Sequence, residues 1–378
     1  MPADFAFIIH PLSISDVARK YRFTQKLPEG LVERALRWLP PMKASEITGV
    51  RSATGAELSG WFVGCPLTPE QMVSLPEEFV LKRIIQSARV AEKLGAKVVG
   101  LGAFTSVVGD AGVTVAKNVE IAVTTGNSYT VATALEGVEY ACRRVDVDLA
   151  RATAVVIGAT GSIGKASARI LYPKVGRLLL AGRDQGRLQK AAADIQASAP
   201  SRPLGGIPGK IEVFTDVSRA LRQADVVVTV TSAVDALIQA KDLRPGAVVC
   251  DVARPRDVSR QVAEEREDVL VFEGGVVEVP GSVSFGLDFG FPPGTSYACM
   301  AETMVLALEK RFEGFSLGRD LDVAKVQEIA ALAAKHGFRL AGLRSFERSV
   351  PDEAFERVRV AGRAFRESSG GQKLAHHA

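Results

Sequence analysis

The stretch Ala154-Val155-Val156-Ile157-Gly158-Ala159-Thr160-Gly161-Ser162-Ile163-Gly164 carries the clearest chemical signal in this chain. An apolar, β-branched run breaks into three glycines spaced by three, then opens a helical pattern through Ile163, Ala166, Ile170 and Leu171. That pattern reads as strand, tight turn and helix. In a dinucleotide-binding turn the first glycine lets the chain reverse and the second lets backbone approach a pyrophosphate. The third lets the helix pack on the strand. Amides around Thr160, Ser162 and Ile163, with the helix dipole, would then hold the phosphates.

The next strand bears on which dinucleotide binds. Arg177 to Ala181 runs into Gly182-Arg183-Asp184-Gln185-Gly186-Arg187, where an NAD site usually places a carboxylate for the ribose 2′-hydroxyl. Guanidinium groups at Arg183 and Arg187 suit a 2′-phosphate instead, so the expected cofactor is NADPH. Asp184 argues the other way unless it caps the following helix. Thr231 and Ser232 end the apolar run that starts at Asp225, and are expected at the carboxyl edge where a nicotinamide rests.

The second candidate for chemistry is a thiol. Cys65, Cys142, Cys250 and Cys299 are too far apart for a zinc site or a disulfide framework. His10 and His336 are isolated, and His376 and His377 sit in a polar tail, so no metal is expected. Cys65, Cys142 and Cys250 read as small hydrophobes. Cys299 falls in the first turn of a helix expected over Ser296–Phe312 and capped by Thr295 or Ser296. There, unpaired amides and the dipole favour a thiolate. Glu302, three residues on, opposes it. Position alone leaves both a nucleophile and a structural thiol open. The preceding Gly/Pro-rich stretch, Gly274 to Gly294, contains Phe285, Leu287, Phe289 and Phe291. It reads as a binding loop or an apolar lid.

The elements that must position these groups alternate between strand and helix. Strands are expected at 5–9, 47–50, 57–63 and 98–101, then at 154–157, 177–181, 211–214, 225–230, 247–251 and 269–272. Helices are expected at 16–20, 79–94, 129–145 and 323–336. The fold class is α/β, a Rossmann-type doubly wound parallel sheet plus an N-terminal α/β domain. The expected boundaries are 1–148 for a substrate domain, acyl-binding if the resemblance given below holds, and 149–294 for an NADP-binding domain. Residues 295–345 would be C-terminal helices carrying Cys299 back onto the substrate domain, and 346–378 a charged helix with a flexible tail from Ser368.

A hydrophobic content of 47% with 24% charged residues describes a globular protein. The net charge of +4 lies wholly beyond residue 149 and does not call for nucleic acid. The groups Arg19-Lys20-Arg22-Lys26 and Lys82-Arg83-Arg89 fit solvated helix faces or an acidic partner. No apolar run is long enough to span a bilayer and no basic region precedes the first apolar segment, so a cytoplasmic location is expected.

Several stretches together resemble the long-chain acyl-[acyl-carrier-protein] reductases of cyanobacterial type, which form fatty aldehydes. They are Trp61–Cys65, Leu101–Ser106, Thr124–Ser128, Gly158–Gly164, Glu273–Glu278, Tyr297–Glu302 and Lys335–Phe338, within a resemblance running over roughly 5–343. The resemblance implies that Cys299 carries the acyl group as a thioester, with acyl carrier protein or CoA as the substrate's carrier. It makes Asn127 and Thr125 candidate donors to an oxyanion, although both also read as helix-capping residues. An aldehyde-consuming enzyme is the expected downstream partner. Two departures stand out: the segment from Gly281 to Gly294 differs, and Tyr129 replaces an expected histidine. Asp251-Val252-Ala253-Arg254-Pro255-Arg256-Asp257 is similar to glutamyl-tRNA reductases, and the cofactor domain to shikimate dehydrogenases. An NADP oxidoreductase acting on a small polar substrate is therefore the alternative.

Overall fold

Strong apolar alternation in the first hundred residues builds a mixed sheet. This computed structural model describes residues 4–11, 13–14, 17, 22–198, 209–231, 233, 236–288, 291–346 and 348–375. Apart from Val17, the helix expected through 16–20 lies outside the described residues, as do Ser232 and Phe289. The first sheet contains β1 (Phe5–Ile9), β2 (Met42–Arg51), β3 (Glu57–Gly64), β4 (Val98–Leu101) and β5 (Ala122–Thr124). β3, β1, β4 and β5 run parallel in that order, so their carboxyl ends share one edge. β2 returns antiparallel to β3 through the turn at Gly55.

The two faces of this sheet carry different helices, because side chains alternate along a strand. Val80, Ile84, Ala88 and Ala91 of the helix Glu77–Lys93 pack with Ala6, Ile8, Val63 and Val99. On the other face the helix Ala298–Leu308 approaches so closely that a Cβ at Gly100 would lie 2.1 Å from Thr303 Oγ1. Nearly all of that helix is buried, which explains why its sequence shows no polar face.

In the second sheet, β6 (Thr153–Ile157), β7 (Arg177–Ala181), β8 (Lys210–Phe214), β9 (Val226–Thr229), β10 (Val248–Asp251) and β11 (Leu270–Glu273) are all parallel. Their order is β11-β10-β9-β6-β7-β8. This is the order of a dinucleotide-binding Rossmann sheet, with its switch point between β6 and β9. All six strands fall within a residue or two of their expected positions. The runs Val226–Thr229 and Val248–Asp251 are buried throughout, as central strands covered on both faces must be.

The chain divides into two compact units, Met1–Thr130 with Val277–Ala341, and Val131–Val276 with Gly342–Ala378. These edges differ from the expected boundaries at 148 and 294 for identifiable reasons. Within the second unit, Cys250 Sγ bonds Ala134 O and a Cβ at Gly137 would press on Phe272, so most of the helix Asn127–Arg144 belongs with β10 and β11. Within the first unit, β12 (Val276–Glu278) pairs through Val277 and Glu278 with Arg339–Leu340. β13 (Gly281–Ser284) extends the first sheet against β2. Part of the stretch expected to be a loop is therefore an edge strand. The helix Asp352–Ala375 continues past Ser368, where a flexible tail was expected.

Candidate active site

The glycine turn follows β6 at the switch point, and its three glycines differ in what they need. Gly158 has φ +81°, and a Cβ there would lie 2.9 Å from Val230 O. At Gly164 a Cβ would come within 2.3 Å of Gly158 O, so only glycine lets the helix Ser162–Leu171 approach the strand. At Gly161 a Cβ would meet only Gly158 O, at 3.4 Å. Protein packing does not require that glycine, whereas a closely approaching phosphate would. The helix starts at Gly161 without a side-chain cap. Thr160, Ser162 and Ile163 sit at this uncapped start, so the chain's own residues fit a dinucleotide.

Past the end of β7, Asp184 Oδ1 accepts the backbone N–H of Arg187 at 3.0 Å and so caps the next helix. Arg183 and Arg187 are exposed, and among the described residues no ion pair engages either one. Thr231 lies just past the carboxyl end of β9. Its N–H donates to Asp257 Oδ2 at 3.0 Å and its hydroxyl to Asp257 Oδ1, while Thr229 Oγ1 donates to Oδ2 as well. The polar groups of Thr231 thus anchor the loop after β9, and Asp257 is the residue that holds it. Asp251 does similar work for the neighbouring loop, accepting from Ala253 N and Val258 N. Burial pushes its carboxyl up to about 6.

In the first unit, Cys299 is the second residue of the helix Ala298–Leu308. The expected cap is corrected: Tyr297 precedes the helix and makes no side-chain cap, Thr295 Oγ1 donates to Pro292 O, and Thr295–Tyr297 is a short strand. The helix also ends at Leu308 rather than Phe312. Against Cys299 lies the polar turn after β5. Gly126, at φ +73°, would place a Cβ 2.3 Å from Cys299 Cα and 2.4 Å from its Cβ. Sequence positions 125–127 and 299 therefore meet.

Glu302 fixes that meeting. Its Oε1 accepts the Thr124 hydroxyl at 2.5 Å and its Oε2 accepts the Tyr129 N–H at 2.8 Å. The side chain is fully buried, and burial pushes its carboxyl up, an effect those bonds offset only in part. Sequence reading treated Glu302 as a charge opposing the thiolate and missed that its carboxylate is committed to the turn. Spacing along the helix could not show it, because its partners lie far away in sequence. Ser316 was missed for the same reason. Its carbonyl accepts the Thr125 hydroxyl, and its own hydroxyl accepts from Ser128 N. Thr125 thereby spends its proton on Ser316, which speaks against an oxyanion role. Asn127 is buried beside it at the start of the helix Asn127–Arg144.

The other three thiols are buried. Desolvation pushes Cys65 and Cys142 up to about 12 and Cys250 further still. Cys299 alone is partly exposed. The two histidines expected to be isolated are engaged. His10 meets Pro11 O through Nδ1 and accepts Phe104 N–H at Nε2, while His336 bridges Ser52 and Glu309. Among the described residues no cluster of His, Cys, Asp or Glu could hold a metal.

Of the apolar segment, Phe285 is buried against Phe62, with ring centroids 6.1 Å apart, and Phe291 packs edge-on to Tyr297 at 4.7 Å. Both are structural contacts within the first unit.

Residues 139–273 match the shikimate/quinate 5-dehydrogenase family. Along most of its length the chain is 31% identical to "Aminotransferase PigE" of Serratia sp., covering 94% of this chain and 41% of that protein. The chain thus spans less than half of that relative. It is 29% identical to the long-chain acyl-[acyl-carrier-protein] reductase of Synechococcus elongatus over 89% of this chain and 98% of that one. Among solved structures, the L-tryptophan dehydrogenase of Nostoc punctiforme is a loose likeness: 12% identity, 95% of this chain, 87% of that one, TM-score 0.41. The sequence matches make this chain a distant relative of NAD(P)-dependent oxidoreductases.

Proposed function

We propose that this relative of the nicotinamide-dependent oxidoreductases reduces a long-chain acyl thioester to a fatty aldehyde, with NADPH as reductant and Cys299 as acyl carrier. The observation that carries the reading is the one partly exposed thiol, at a helix start, with the Thr125–Asn127 turn packed onto its backbone. The similarity to the Synechococcus reductase along nearly all of that protein's length supports it.

The Cys299 thiolate attacks the carbonyl of an acyl group delivered on acyl carrier protein or CoA, forming the Cys299 thioester. The carrier's sulfur leaves as a thiolate and takes a proton from water. Gly158–Gly164 would hold the dinucleotide's pyrophosphate, and Arg183 and Arg187 its 2′-phosphate. Bound NADPH would supply the hydride that reduces the acyl carbon. Asn127 is the candidate donor to the oxyanion on the Cys299 adduct. Collapse of that adduct returns the thiolate and releases the aldehyde, which is reactive and poorly soluble, so an aldehyde-consuming enzyme follows in this scheme. In this reading the first unit binds the acyl substrate and the second the cofactor. The alternative, a dehydrogenase of a small polar substrate, draws on the family match at 139–273, which lies in the second unit apart from Cys299 and its turn.

Incubation with an acyl thioester without NADPH should add one acyl mass to the peptide containing Cys299, and NADPH should then release aldehyde. Cys299→Ser should bind NADPH normally and form no aldehyde. Acyl mass on another cysteine, or full turnover by the serine variant, would overturn the reading.

A further inference from the structure

The segment joining β1 to β2 has an outward apolar face that neither the sheet nor the proposed chemistry uses. In the helix Glu29–Leu36 the inward residues are Val32 and Leu36. Leu31, Ala35 and Trp38, spaced by four and three, form an outward face beside them that runs past the helix end. Trp38 is 73% exposed and Leu31 54%, and Leu27, Leu39 and Met42 are exposed as well. Single exposed apolar residues are ordinary, but five within one short segment are not.

The charges around them are basic in excess. Lys26, Arg34, Arg37 and Lys43 stand against Glu29 and Glu33, and the Glu33 carboxylate is occupied by the Thr68 hydroxyl. The Arg37 guanidinium lies over both the Trp38 and Phe79 rings, at 5.7 and 5.5 Å. Apolar chains beside a tryptophan with a basic rim are the chemistry of a surface resting in the headgroup region of an anionic bilayer. A second copy placed face to face would oppose its own basic groups. An acidic protein would match the charge but leave five large apolar chains to cover.

We propose that this face seats the protein on an anionic membrane surface, lying on it rather than crossing it. Among the described residues no helix is long and apolar enough to cross a membrane. The proposal does not depend on the reaction assigned above.

The test uses the full chain with phosphatidylcholine vesicles, with and without phosphatidylglycerol. Sedimentation should occur with the anionic vesicles, weaken with salt, and be accompanied by a blue shift of tryptophan emission. Trp38→Phe should keep the sedimentation and lose most of the shift. Leu31→Asp and Trp38→Asp, at exposed positions, should keep the melting temperature and lower vesicle binding about tenfold or more. Arg34→Glu should lower binding to anionic vesicles. Absence of sedimentation, or equal binding of Trp38→Asp, would overturn the proposal. So would a dimer, or a complex with acyl carrier protein, that Trp38→Asp abolishes while vesicle binding is absent.

Discussion

Gly126 and Cys299 are in backbone contact: one methyl group added at Gly126 would come within 2.3 Å of the Cys299 Cα. Gly126→Ala must therefore push the turn after β5 away from the thiol, besides straining a residue at φ +73°. The expected cost is about 2–4 kcal/mol of stability, read as a lowered Tm. Acylation of Cys299 should fall far more than NADPH affinity, because the cofactor turn lies in the other unit. Equal losses of both would show that the contact serves folding only.

The 2′-phosphate assignment rests on Arg183 and Arg187, which stay exposed because Asp184 is spent as a helix cap. Arg183→Ala should weaken NADPH binding by about 1.5–3 kcal/mol, tenfold to a hundredfold, and leave NADH binding almost unchanged. Titrating both cofactors against the variant decides it, and a parallel loss would remove the assignment.

Asp251 predicts a pH dependence. Burial raises its carboxyl from 3.8 to about 6 in the folded chain. The folded state then binds more protons at Asp251 than the unfolded state between those values, so this group's contribution to stability is greatest below pH 3.8 and falls as pH rises through 6. The contribution is on the order of 1–3 kcal/mol. Denaturant melts across that window should slope downward in wild type relative to Asp251→Asn. Parallel curves would contradict the shift.

Phe285 tests the apolar segment. It is buried and packs on Phe62, so Phe285→Ala should cost about 3 kcal/mol or more of stability through the cavity it leaves. Acyl-chain preference should stay the same. A shortened preference with unchanged Tm would return this residue to the substrate.

How much could be read in advance follows from the range of the interactions. The six strands from β6 to β11 were legible because each is a local run of apolar residues bounded by turn residues, and the glycine turn because its demands are met within seven positions. The unit edges were not legible. Val277–Glu278 and Gly281–Ser284 look like loop on their own and become strand only through pairing with Arg339–Leu340 and with β2. In the thiol site, the spacing that marks Cys299 is local, whereas Glu302 acts on Thr124 and Tyr129, more than 170 positions away in sequence. A buried carboxylate with distant partners leaves no local pattern to find. Thr125 was over-read for the complementary reason: a hydroxyl at a promising position already donates its hydrogen bond to Ser316.

The burial of three thiols turns the chain into its own reporter. A mild alkylating reagent should label one cysteine in the native protein and all four in denaturant. Cys65 lies in the first unit and Cys142 and Cys250 in the second, so the order in which those three become labelled on heating records which unit opens first. No dye or engineered probe is needed to follow the two separately.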